Sequence, residues 1–150
     1  MAEPTEQIVA FLREIGIPVR AEPLPQEAFL PGLTLRDGGI VYDPARLLYP
    51  GDLLHEAGHI AVTEPERRAA LDGDAEDDPG KEMAAIAWSW AAAKAIGIDP
   101  RLVFHAHGYR GGGEAIFAAF ESGEAFGVPL LAWYGMTSAA EFPCMARWLR

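Results

Sequence analysis

Residues 55–59 read His-Glu-Ala-Gly-His, and this pentapeptide constrains the local fold more than any other stretch of the chain. On an α-helix, positions i and i+4 lie one above the other on the same face. Two imidazoles at that spacing can grip one metal ion. Glu56 sits about 100° further round the helix, where it reaches a water on that ion but not the ion itself. The chemistry therefore needs helix, spacing and residue types together. Chance would produce such a pentapeptide in roughly one sequence in a hundred of this composition. Its surroundings suit a buried site helix: Leu53, Leu54, Ile60 and Val62 are apolar, Pro50-Gly51-Asp52 opens a helix running to about Val62, and Pro65 closes it.

The remaining elements follow from periodicity and turn chemistry. Thr5 is a candidate N-cap for a first helix, in which Ile8, Phe11, Leu12 and Ile15 recur at helical spacing until Gly16. Pro18 to Pro31 holds Pro23 and Pro25 as well, so it reads as loop with a short edge strand at Val19–Ala21. Residues 33–42 read as a hairpin turning at Asp37 and Gly38. A helical turn at 66–71, an Ala-rich helix at 82–96, a short helix after Asp99-Pro100 and helices at 114–120 and 124–134, the last kinked by Pro129, complete the pattern, with a final turn or two ending at Trp148. The expectation is an α+β fold: one mainly helical domain over 1–150, with a small N-terminal antiparallel sheet packed against the 52–62 helix.

Composition narrows the function. Twelve Lys and Arg against 22 Asp and Glu give a net charge of −10, which argues against nucleic acid as a partner. No apolar run approaches the roughly 20 residues of a membrane span. The opening residues lack the basic n-region of a secretory signal, so a cytoplasmic location and no membrane partner are expected. Cys144, the single cysteine, excludes an internal disulfide framework and a multi-cysteine zinc site, and reads as a small buried hydrophobe. The tryptophans at 88, 90, 133 and 148 read as core or groove wall.

An open catalytic zinc site takes three protein ligands. Candidates for the third are Glu64, Glu66, Asp72, Asp74, Glu76, Asp77, Asp78, Glu82, His105 and His107. Glu82 is favoured because it opens the Ala-rich helix. Ala84, Ala85, Ser89, Ala92 and Ala93 leave that helix small enough to approach the 55–59 helix closely. Downstream, His105, His107 and Tyr109 precede the glycine run 111–113, and each is a candidate for holding an oxyanion. The strand at Ile40–Tyr42 is a candidate to pair with an extended peptide.

These pieces, in this order, resemble the zincin metallopeptidases, and among them the compact bacterial ImmA/IrrE-type domain. An N-terminal helix is followed by GIVYDP before LLHEAGHIAV, then by EMAAIAWSW. The resemblance covers roughly residues 5–97. It implies His55, His59 and Glu82 as ligands of Zn2+ and Glu56 as general base, in a small peptidase acting on a peptide or protein substrate. Catalytic roles are expected for Glu56, His107 and Tyr109. The alternative is a zincin-fold metal-binding protein without protease activity, its site closed by a fourth ligand such as His105 or His107.

Overall fold

The computed structural model describes residues 3–25, 30–73 and 78–150, and the Arg110 side chain is not among what it describes. The candidate ligands Asp74, Glu76 and Asp77 lie outside the described residues. Helix α1 spans Pro4–Ile15. It is capped at Glu3 rather than Thr5, because Pro4 takes the first helical position, where its missing N–H costs nothing. Ile8, Val9 and Leu12 are buried, and Ile17 N–H turns back to the Leu12 carbonyl at 2.9 Å.

Three strands follow: β1 Val19–Ala21, β2 Leu33–Arg36 and β3 Gly39–Tyr42. Asp37 and Gly38 take φ of 52° and 77°, the left-handed pair that a two-residue hairpin needs. β2 and β3 are antiparallel as expected, but the sheet as a whole is mixed, in the order β1-β3-β2. The segment after β1 carries the chain from one edge of the sheet to the other. The hairpin then inserts β3 between β1 and β2, and β3 runs parallel to β1. This corrects a second expectation. Residues 40–42 form the central strand, both of whose ladders are taken, so no peptide can pair there. The outer edge of β2 is also bridged: Leu35 and Gly73 exchange backbone hydrogen bonds of 3.0 and 2.8 Å.

The helical layer begins with α2, Asp52–Val62, and α3, Pro65–Arg68. Helix α4 spans Pro79–Ile96, starting a turn earlier than expected. The Asp78 carboxylate accepts from Gly80 N–H (2.9 Å) and Lys81 N–H (3.1 Å), satisfying two of the orphan donors of a helix start. Glu82 therefore lies within the first turn of α4. From Ala84 to Ala93 every residue of α4 is buried, as expected of a helix running through the middle of a core. Trp88 is fully buried at its centre. A 3-10 turn at Pro100–Leu102, another at Tyr109–Gly111, α5 at Gly113–Glu121 and α6 at Val128–Trp133 complete the layer. Pro129 does not kink the last helix: it sits in its first turn, where its fixed φ is tolerated.

One cluster of buried apolar side chains runs from α1 through the sheet and α2 to α4 and α6. Trp90 belongs to it, whereas Trp133 is exposed; Cys144 is exposed too, contrary to its expected burial. Among the described residues no helix is long and apolar enough to cross a membrane.

Candidate metal centre

The site is built where α2 and α4 touch. Gly58 makes this possible: a Cβ at that position would stand 2.9 Å from the Ala85 carbonyl oxygen and 3.2 Å from its Cα. Backbone therefore lies against backbone. Ser89 reinforces the seam, its hydroxyl donating to Ala85 O (2.7 Å) and lying 3.2 Å from Leu54 O. One turn before Ala85, Glu82 projects from the same side of α4 and meets the two histidines of α2.

The Glu82 carboxylate spans both imidazoles. One oxygen lies 2.6 Å from His59 Nε2 and the other 3.5 Å from His55 Nε2. The His55 and His59 rings stand edge to face, with centroids 4.9 Å apart. One ligand atom from each of the three residues lies within 4.8 Å of the other two. Bonds of about 2 Å to a single zinc-type ion require donors roughly 3–3.5 Å apart. A slight withdrawal of Glu82 from His59 would open that space, so two imidazole nitrogens and a carboxylate oxygen fit such an ion. Burial is graded across the group: His59 is buried, while the Glu82 side chain is 40% exposed, so the site opens to solvent on the α4 side.

Electrostatics favour ligation. Burial, helped by the nearby His59 and opposed by Glu82, draws the His55 pKa down to about 4. The ring is therefore neutral at pH 7, the form that binds metal. Glu56 is buried beside the triad, with Oε1 3.9 Å from His55 Nε2. It lies next to the three candidate ligands and outside their cluster.

The downstream candidates divide. Tyr109 reaches the site from behind: its hydroxyl lies 2.8 Å from His55 Nδ1, the ring nitrogen turned away from Glu82. Burial, and then the carboxylates of Glu82, Asp52 and Glu56, hold its hydroxyl well above the usual tyrosine range. His105 goes elsewhere, its Nε2 lying 3.0 Å from Asp52 Oδ1 and its ring stacked on Tyr49 at 4.1 Å. Burial raises the Asp52 pKa and His105 works against that rise. His107 packs on the same Tyr49 ring at 5.8 Å. Among the described residues the only cluster able to hold a metal is His55, His59 and Glu82, so neither His105 nor His107 is among its ligands.

Two contributors escaped the sequence reading. Ser89 was legible only as a small residue; its signal was a hydroxyl inside an Ala-rich apolar helix, where it must find a partner. Asp52 read as a helix opener, and its pairing with His105 depends on the long return of the chain. Compared with protein-family models, with curated proteins and with solved structures, the chain matches none.

Proposed function

We propose that this chain is a small zinc-dependent metallopeptidase. The observation that carries the reading is the convergence of the Glu82 carboxylate on the Nε2 atoms of both histidines, with Glu56 beside them. His55, His59 and Glu82 would hold the ion. When bound, zinc would supply Lewis acidity, acidifying water and polarising an amide carbonyl.

The other work falls to the chain's own groups. Glu56 takes the proton of the attacking water on its carboxylate and passes it to the leaving amine. Its burial keeps that carboxylate close to the reacting atoms and away from bulk solvent. The commitment of His105 to Asp52 supports an open coordination position rather than a closed four-ligand site. The partly exposed Glu82 side marks where a peptide would enter. The resemblance to zinc peptidases rests on the same residues. A reducing compartment such as the cytoplasm suits a chain whose single cysteine is exposed.

Metal content per chain, by elemental analysis, tests the reading first. Wild type is expected to hold close to one zinc and Glu82→Ala to lose most of it. Glu56→Gln should keep the metal and lose peptide cleavage by about 10²–10⁴-fold. A wild type that takes up no zinc at neutral pH overturns the proposal. A Glu56→Gln variant that cleaves at the wild-type rate removes the peptidase mechanism and leaves a metal-binding protein.

A further inference from the structure

The side of His55 remote from Glu82 is as carefully built as the side that faces it. Its Nε2 points to the carboxylates of Glu82 and Glu56, while its Nδ1 lies 2.8 Å from the Tyr109 hydroxyl. The two rings stand edge to face, 4.7 Å apart and 80° between planes. The tyrosine is held there against a local preference. Its φ is +56°, a conformation that bulky residues adopt rarely and that tends to occur where function demands it. Gly113, just downstream, lets the loop close: a Cβ there would stand 2.2 Å from the His105 carbonyl oxygen. Phe104 packs against the other side of the phenol ring.

Proton bookkeeping then gives each group one role. A neutral imidazole carries a single proton, and Nε2 can donate its lone pair to a metal only if that proton sits on Nδ1. The Tyr109 oxygen, 2.8 Å away, must then accept from Nδ1–H.

We propose that Tyr109 is the positioning residue of the metal centre: its hydroxyl locks His55 in the tautomer and ring orientation that present Nε2 to the ion. This rests on the three-ligand reading above. It assigns Tyr109 a place behind a ligand rather than on the reacting carbonyl.

The test compares zinc affinity, by competition with a chromophoric chelator at neutral pH, in wild type and Tyr109→Phe. Imidazole 15N–1H correlation spectra are recorded on the zinc-loaded wild type. Phe keeps the ring packing and removes only the hydroxyl. Tyr109→Phe is expected to lose about 10–100-fold in zinc affinity, with the circular dichroism of the metal-free protein unchanged. The wild-type spectrum should show a slowly exchanging proton on His55 Nδ1. Wild type that binds zinc while Tyr109→Phe binds equally well overturns this inference and leaves the metal centre standing. Wild type that binds no zinc overturns the metal centre itself. If Tyr109→Phe does not fold, the wild-type spectrum decides, because a rapidly exchanging Nδ1 proton or metal on Nδ1 excludes this bond.

Discussion

Burial makes His55 a neutral imidazole long before any ion arrives, and that has a measurable consequence. Its pKa is about 4 in the fold against 6.5 for an unperturbed ring. The unfolded chain therefore binds more protons between these values, and stability rises with pH across that window. As the pH falls from 6.5 towards 4, the contribution is lost progressively, by on the order of 3 kcal/mol. Urea unfolding of chelator-treated protein at a series of pH values should show a steeper acid loss in wild type than in His55→Ala. Equal slopes in the two proteins would mean that His55 titrates normally in the fold. Glu56 belongs to the same scale: in the proposed peptidase its carboxylate would serve as a base, because a helix places it beside the three candidate ligands.

At the scale of elements, the site depends on how closely α2 and α4 approach. Gly58→Ala would push a methyl into the Ala85 backbone, where no flexible side chain can yield. Separation of the helices carries Glu82 away from both histidines. The substitution is expected to cost about 1–3 kcal/mol of stability and to weaken zinc binding as well, although it touches no ligand. Denaturant midpoints and chelator competition on the same variant would test both. Unchanged zinc affinity would show that Glu82 can follow the histidines across a wider seam. This contact explains what could be read in advance. The pentapeptide declared its helix by spacing, the Ala-rich run declared a helix able to come close, and their combination pointed to Glu82. The hairpin was equally legible, since Asp37 and Gly38 supply its turn. The central place of β3 was not legible, because strand order depends on where a proline-rich loop lands rather than on any local pattern. The positions of His105, His107 and Tyr109 were hidden for a related reason. Their stretch folds against α2 across 53 to 54 residues of sequence, and Tyr109 takes a φ that no propensity favours.

At the scale of the whole molecule, the end of α2 that carries His59 is held by residues far along the chain. Its last carbonyls need partners that the helix cannot supply. Thr63 Oγ1 donates to His59 O at 2.6 Å, Arg68 Nε to Ile60 O at 3.3 Å, Arg150 N–H to Ala61 O at 2.9 Å and the Arg150 guanidinium to Val62 O at 3.2 Å. Arg68 in turn donates to the Arg150 carbonyl at 2.7 Å. Just before this clasp, Trp148 sets its ring edge to face on Phe11 and Trp88, with centroids 5.0 and 5.6 Å away, and its carbonyl accepts the Trp88 indole N–H at 2.9 Å. One short segment thus ties α1, α2 and α4 together behind the site. Packing and ion pairing within it can be separated. The Arg150–Glu64 pair is partly exposed and worth at most about 1 kcal/mol. A half-buried tryptophan in an aromatic cluster is worth more, though less than the roughly 3–5 kcal/mol lost on truncating a fully buried one. Trp148→Ala should therefore cost about 2–4 kcal/mol and Arg150→Ala clearly less, as read from urea denaturation. Zinc affinity should fall in Trp148→Ala, because His59 loses the rigid backing of its helix, and should change little in Arg150→Ala, whose backbone bonds to α2 persist. The reverse order of stabilities would place the clasp in its charges. Loss of stability without loss of zinc affinity would mean that the ligand helices hold their geometry without this segment behind them.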